Sequence, residues 1–106
     1  MSDERIELNS EELRQKINLE TGTLEWSELV RYFAKGMVVV IGAELDLITV
    51  AERFAADDQT QVATWIEQGK ITRAQDDDAR RWNEKNAEFW SVVVAPWVLV
   101  QEKSNH

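Results

Sequence analysis

The chain has 106 residues, of which 43% are hydrophobic and 30% charged, and this balance is typical of a globular domain rather than of a disordered chain. Its net charge of −8 repels phosphate groups, which argues against nucleic acid and membrane surfaces as partners. The absence of cysteine excludes disulfides and thiolate metal sites. We expect a single domain over residues 1–106, frayed at residues 1–7 and 102–106.

The N-terminal region predicts two helices. Asn9 and Glu12 form a capping-box pattern, which marks the start of a first helix. Leu8 and Leu13 have the spacing of a hydrophobic staple around the same start, and Gly22 is where this helix is expected to end. A second helix is predicted over residues 26–35, because its apolar residues fall at the spacing of one buried stripe. These residues are Trp26, Leu29, Val30 and Phe33.

The middle of the chain predicts a strand and then a pair of helices. Residues 37–41 are apolar and rich in valine between two glycines, a pattern typical of an inner strand. Asp46 is expected to cap a third helix over residues 47–56. Asp58 with Gln61 is expected to cap a fourth helix. The side chains predicted to face inward from this fourth helix are Val62, Trp65 and Ile66.

The C-terminal region predicts strands on either side of a polar helix. A short strand is expected at residues 71–74, followed by a fifth helix that begins with the acidic run Asp76–Asp78. Within that helix, Asp76 with Arg80 and Asp77 with Arg81 have the i, i+4 spacing of ion pairs. Residues 90–101 are of strand type but contain Pro96, which predicts one bent strand or two short ones.

These elements predict an α+β fold of about five helices and a small sheet of three to four strands. From residue 26 onward their order is that of a winged helix, with residues 46–69 as the helix-turn-helix pair. This pair has no Lys or Arg between Asp57 and Gly69, which argues against DNA binding even in a winged-helix fold.

The sequence offers few residues for catalysis. The single histidine, His106, is the last residue, so no catalytic, cofactor-binding or metal-binding residue is predicted. Carboxylates are the remaining candidates, and each stands where a helix favours an acid. A carboxylate-based enzyme or small-ligand binder is an alternative that requires two or more of them to converge in one cleft. They are Glu44, Asp46, Asp57, Asp58 and Asp76–Asp78.

Five tryptophans are more than a chain of this length needs for its core. Trp26 and Trp65 lie on apolar stripes and are expected to be buried. Trp82 lies on a polar helix and Trp97 follows a proline, so both are candidates for a protein-interaction surface. The acidic turn at Asp57 and Asp58 completes the predicted surface, which consists of Trp82, Trp97, Asp57 and Asp58.

Several short segments carry a family resemblance. They are Leu45–Leu47, Val50–Ala51, Trp65 with Gly69–Ile71, and the ending Val92–Gln101, of which Pro-Trp-Val-Leu-Val-Gln is the most specific part. Together they resemble domain of unknown function 2288, a family of small bacterial proteins, over about residues 11–101. The resemblance implies a bacterial cytoplasmic protein, and it implies neither an activity nor any functional residue.

The leading hypothesis is a non-enzymatic protein-interaction or self-associating module in the cytoplasm, without a cofactor. Its basis is the lack of catalytic groups, the acidity and the surplus of tryptophan. The expected partner is a protein or a second copy of the chain. The alternative is the carboxylate-based enzyme or small-ligand binder, and a winged-helix nucleic-acid binder comes third.

Overall fold

The computed structural model describes residues 10–103, and within them it contains five helices and five strands. The helices are α1 (Ser10–Glu20), α2 (Trp26–Ala34), α3 (Leu47–Ala55), α4 (Gln59–Glu67) and α5 (Asp76–Lys85). The strands are β1 (Gly22–Glu25), β2 (Val38–Ile41), β3 (Ile71–Arg73), β4 (Glu88–Val94) and β5 (Trp97–Glu102). The predicted α+β class is confirmed, with more strands than the three to four expected.

The five strands form one mixed sheet in the order β1-β4-β5-β2-β3. Neighbouring strands are antiparallel except β2 and β5, which are parallel and place Val38 opposite Val98. β2 is an inner strand, as its run of valines predicted. Residues 90–101, which were predicted to form one bent strand or two short ones, belong to the two strands β4 and β5. A turn at Ala95 and Pro96 connects these strands.

The sheet separates two hydrophobic cores, because successive side chains of each strand point to opposite faces. The core on the face of α1 and α3 contains Ile17, Val39, Ile41, Leu47, Val50, Ala51, Ile71, Val92 and Leu99. The core on the face of α2 and α5 contains Trp26, Leu29, Val38, Trp82, Ala87, Phe89, Val98 and Val100. The sheet therefore lies in the middle, with helices on both faces.

The structure does not have the predicted winged-helix arrangement. The helix pair α3 and α4 is present, but β5 lies between β4 and β2 and is parallel to β2. The order of elements along the chain resembles that of a winged helix, but the pairing of the strands is different. Strand pairing joins segments that are distant in sequence, so the order of elements alone does not determine it. The strand β1 was not predicted, because Leu24 is its only large apolar residue.

Two of the predicted helix caps are confirmed. The Asp46 carboxylate accepts a hydrogen bond from the backbone N–H of Thr49 at 3.3 Å, and that of Asp58 accepts one from Gln61 at 3.1 Å. Each satisfies a backbone donor that the first turn of a helix leaves free. These two caps fix where α3 and α4 begin.

The fifth helix begins with the acidic run Asp76–Asp78, as predicted, but its ion pairs differ from the prediction. Its N-cap is Gln75, whose backbone N–H donates to the Asp78 carboxylate at 2.9 Å. The ion pairs of this helix join Asp77 to Arg80 at 3.2 Å and Asp78 to Arg81 at 3.1 Å. The pairs are therefore three residues apart, instead of the predicted Asp76–Arg80 and Asp77–Arg81.

The ends of the chain are only partly described. β5 extends through Glu102, and the Lys103 N–H donates to the Glu88 carbonyl at 2.9 Å, so the expected fraying does not begin at residue 102. The predicted cap at Asn9, the staple residue Leu8, the expected fraying at residues 1–7 and the terminal His106 lie outside the described residues. Between residues 10 and 103, no helix has the length and apolar character needed to span a membrane.

Candidate functional site

Trp82, one of the predicted surface residues, lies in the core. Its side chain is 0% exposed and packs edge-on against Phe89, with ring centroids 4.9 Å apart. Its indole N–H donates to the Glu102 carboxylate at 3.1 Å. Trp82 is therefore not exposed in the folded chain. The helix α5 is polar apart from Ala79 and Trp82, and these two side chains face the core on this side of the sheet.

Trp97, the second predicted tryptophan, is half-buried at the start of β5. It lies on the α1 and α3 face of the sheet, packed against the core of that face. The guanidinium carbon of Arg73 lies 5.3 Å from the centroid of its ring, within the range of a cation–π contact. Arg73 also donates a hydrogen bond to the Gly36 carbonyl, which helps to fix its position beside Trp97.

A cleft opens beside Trp97 because α4 is not fully packed on the sheet. None of the residues of α4 is buried, and Ile66, which was predicted to face inward, is 55% exposed. Trp65, which was expected to be buried, is only partly buried and packs against the edge of the core, and Val62 is partly buried as well. The helix packs against α3 and the edge strand β3, so the sheet ends beneath it and leaves part of its apolar stripe uncovered.

The first part of this cleft, the apolar pocket, has a volume of about 330 Å³. Its walls come from α3, α4 and the strands β2, β3 and β5. The lining residues are Val39, Phe54, Val62, Ile66, Ile71, Thr72, Arg73 and Trp97. Arg73 is the single charged residue among them, so this pocket combines a hydrophobic lining with one cation.

The second part, the acidic pocket, shares Phe54, Val62 and Trp97 with the apolar pocket. It is bounded by the turn between α3 and α4 and by the turn between β4 and β5. Its further lining residues are Arg53, Asp57, Asp58, Gln59, Val94, Ala95 and Pro96. The structure thus brings three of the four predicted surface residues together in one place: Trp97, Asp57 and Asp58.

The two aspartates of the acidic pocket differ in their surroundings. Asp58 caps α4 and lies 3.6 Å from the guanidinium of Arg53. Asp57 is exposed, and among residues 10–103 its carboxylate has no ion-pair partner. Its backbone has a φ of 57°, a left-handed conformation that is uncommon for residues other than glycine and asparagine. Asp57 therefore presents an uncompensated negative charge at the rim.

Of the acids considered as catalytic candidates, Asp57 and Asp58 line one pocket, the acidic pocket, and the others do not join them there. Asp46 and Asp58 cap different helices, and Glu44, Asp57 and Asp76 are exposed. The hydrogen bond from the Thr49 hydroxyl, at 2.8 Å, is the largest influence that lowers the pKa of Asp46. Between residues 10 and 103 no three His, Cys, Asp or Glu side chains are grouped to hold a metal ion. The acidic pocket therefore contains the pair of acids that the carboxylate alternative requires, although Asp58 already accepts a hydrogen bond from the Gln61 N–H and lies 3.6 Å from the guanidinium of Arg53.

Sequence reasoning missed the most exposed tryptophan. Trp90 is 47% exposed, and the Lys103 ammonium lies 4.2 Å from its ring centroid. Its neighbours Phe89 and Ser91 are buried, so strand alternation places Trp90 on the opposite face, close to the short edge strand β1. Sequence reasoning also missed Arg73, because nothing local to β3 indicates its contact with Trp97.

The fold and the cleft define a mixed-sheet α+β protein with helices on both faces and a surface cleft beside its fourth helix. The solution NMR structure of PA1075 from Pseudomonas aeruginosa is similar to it, with a TM-score of 0.78 and 38% sequence identity over 98% of this chain and 95% of that chain. A comparison with curated proteins finds no match. The family model described as "Protein of unknown function (DUF2288)" matches residues 12–102, and the chain belongs to this family.

Proposed function

We propose that this protein is a cytoplasmic, non-enzymatic protein-interaction module that binds a basic and apolar segment of a partner protein in its acidic pocket. The observation that carries the proposal is the position of Asp57, an uncompensated carboxylate, at the rim of a pocket that also contains Trp97. A lysine or arginine of the partner would pair with Asp57, while a neighbouring apolar side chain packs on Trp97.

Trp97 has the properties of an anchor for such a segment. It is half-buried, and its contact with Arg73 restricts its ring, so little side-chain entropy is lost when a partner binds. Tryptophan is enriched among the residues that dominate protein–protein binding energy. Pro96 and Phe54 extend the apolar surface on either side of it.

Charge favours a basic partner over a second copy of this chain. Two chains of net charge −8 repel each other, whereas a basic segment is attracted to the same surface. Charge complementarity mainly raises association rates and selects partners, so binding is expected to weaken as salt is added. Self-association is therefore the less favoured form of the interaction hypothesis.

An array of synthetic peptides tests this proposal. It presents segments in which apolar residues are combined with lysine or arginine, and matched segments in which each basic residue is replaced by glutamine or glutamate. The protein is expected to bind only segments with both features. Asp57→Asn should weaken this binding, because asparagine accepts the left-handed backbone but carries no charge.

Asp76→Asn is the matched control, since Asp76 is an exposed acid on α5, outside the cleft. Equal binding to the glutamate-containing peptides, or binding that Asp57→Asn leaves unchanged, would contradict the proposal. A mass that doubles with concentration in sedimentation equilibrium, and that Asp57→Asn or Trp97→Ala returns to the monomer, would identify a second copy as the occupant instead.

A further inference from the structure

The lining of the apolar pocket contains one charged residue, Arg73, and one uncharged polar residue, Thr72, and its other residues are hydrophobic. We infer that this pocket is a binding site for a small anionic amphiphile, a carboxylate that carries a medium-length alkyl chain. The alkyl chain would lie between α4 and the sheet, and the carboxylate would pair with Arg73. This site is distinct from Asp57 and Asp58, which line only the acidic pocket.

The lining of the pocket suits an alkyl chain. Ile71 and Val39 form its floor on the sheet, and Val62 and Ile66 of α4 face them. Ile66 is 55% exposed, so a ligand that covers it removes apolar surface from water and gains binding free energy from the hydrophobic effect. The volume of about 330 Å³ lies at the lower end of small-molecule sites, roughly 300–1,000 Å³, so the ligand is small.

Arg73 supplies the complementary charge. A guanidinium has five N–H donors, and one nitrogen of Arg73 is engaged with the neutral carbonyl of Gly36. Among residues 10–103 Arg73 has no carboxylate partner, whereas Arg14 and Arg53 on the neighbouring helices are both ion-paired. Arg31 likewise has no carboxylate partner among these residues, but it does not line the pocket, whereas Arg73 does and a bound carboxylate would give it an acid.

Trp97 holds this charge beside the pocket. The guanidinium lies 5.3 Å from the centroid of the Trp97 ring, and both residues line the pocket. Arg73 is exposed, so a carboxylate at the solvent end of a bound alkyl chain would pair with the guanidinium outside the apolar lining. A lysine at this position would keep the charge but lose both the stacking and the bidentate geometry.

Titration with octanoate, below the concentration at which it forms micelles, tests this inference by two-dimensional NMR of the backbone and indole N–H groups. We expect saturable shifts confined to the residues of the apolar pocket, including the Trp97 indole. Octylamine, as its ammonium form, and octanol are the matched probes, and they should bind at least about tenfold more weakly because they lack the negative charge.

Arg73→Gln should weaken octanoate binding by about tenfold and leave octanol binding unchanged. The octanoate affinity of Arg73→Lys should lie between those of the wild type and of Arg73→Gln. Arg80→Gln, on the opposite face of the sheet, is the control and should bind octanoate like the wild type. Ile66→Ser should weaken all three probes without unfolding the protein, since Ile66 is exposed.

Three results would overturn the inference: no saturable shifts, equal affinity for octanoate and octylamine, or octanoate binding that Arg73→Gln does not change. These results leave the acidic pocket untouched, because Asp57 and the basic peptides are not part of the experiment. Likewise, failure of the peptide array would leave octanoate binding intact, so the two proposals are tested separately.

Discussion

The indole N–H of Trp82 donates a hydrogen bond of 3.1 Å to the carboxylate of Glu102, and this bond joins α5 to the last strand of the sheet. Trp82 is 0% exposed, so the bond satisfies the one polar atom of a fully buried side chain. Glu102 also contacts the Lys85 ammonium and lies 4.0 Å from the guanidinium of Arg81. One carboxylate therefore connects three side chains of α5 to β5.

Replacing Glu102 should destabilise the protein by an amount that depends on whether the new side chain can still accept the hydrogen bond from the Trp82 indole N–H. Glu102→Ala leaves the indole N–H without a partner and should lower the free energy of unfolding by about 2 kcal/mol. Glu102→Gln keeps an acceptor and should cost about 1 kcal/mol or less. Urea denaturation measures both, with Glu84→Ala, an exposed acid of α5, as the control. Equal losses for the alanine and glutamine variants would contradict this role of the bond.

Stability should fall in acid partly through Glu102. Burial, the largest single influence, raises the pKa of Glu102, but the hydrogen bonds from Lys85 and Trp82 and the charges of Lys85 and Arg81 together hold it below its ordinary value of 4.5. A carboxylate with a lowered pKa in the folded state stabilises that state above its unfolded pKa, and the contribution is lost as pH falls through the folded value.

The free energy of unfolding should therefore decrease from about pH 5 downward. The decrease should be shallower in Glu102→Gln, which does not titrate. Asp46→Asn should also make it shallower, because the pKa of Asp46 is lowered by the Thr49 hydrogen bond and by Arg14. Urea titrations between pH 7 and pH 3 test this expectation. A Glu102→Gln profile parallel to that of the wild type would show that Glu102 contributes nothing to acid sensitivity.

Arg14 ties the first helix to the third. Its guanidinium lies 3.0 Å from Asp46 and 2.9 Å from Glu52, whose side chain is only 13% exposed. Arg14→Gln leaves the Glu52 carboxylate without its cation and should lower stability by about 1 kcal/mol, with a smaller loss at high salt. Lys16→Gln, at an exposed position of the same helix, is the control. A loss that does not depend on salt would assign the effect to packing rather than to charge.

The tryptophans should differ in their access to a fluorescence quencher. Trp90 is 47% exposed and Trp82 is 0% exposed. Trp90→Phe is therefore expected to remove much of the emission that acrylamide quenches, whereas Trp82→Phe should leave the quenchable emission in place. Trp82→Phe should also lower the melting temperature, because it opens a small cavity and frees Glu102. Quenching that depends equally on both residues would contradict the placement of Trp82 in the core.

Local features of the fold were predictable from the sequence. Asp46 and Asp58 mark the starts of α3 and α4. Their N-cap hydrogen bonds join residues only three positions apart, so the pattern can be recognised within a short stretch of sequence. The stripe of α2 is a similar case, with Trp26 and Leu29 buried as expected. The inner position of β2 was also predictable from a short segment. A strand that is covered on both faces is apolar along its whole length, without alternation of polar and apolar residues, and the run of valines has this pattern.

Features that depend on distant contacts were not predictable in this way. The parallel pairing of β2 with β5 replaced the winged helix, and no local pattern specifies a partner strand. Trp82 was expected near the surface because α5 is polar, but it packs against Trp26 and Phe89, and Glu102 of β5 accepts its indole N–H. Three of the four predicted surface residues, Trp97, Asp57 and Asp58, line the acidic pocket together. They meet because two turns that are distant in sequence lie side by side, and no local pattern specifies that arrangement.

The central position of β5 has a consequence for how the chain folds during synthesis. β5 is the last element among the described residues, yet it lies between β4 and β2 and joins the two halves of the sheet. On the ribosome, β2 and β3 emerge early and cannot be connected to β4 until β5 has been made. The valine-rich edge of β2 that pairs with β5 is therefore open to unwanted pairing until β5 has been made.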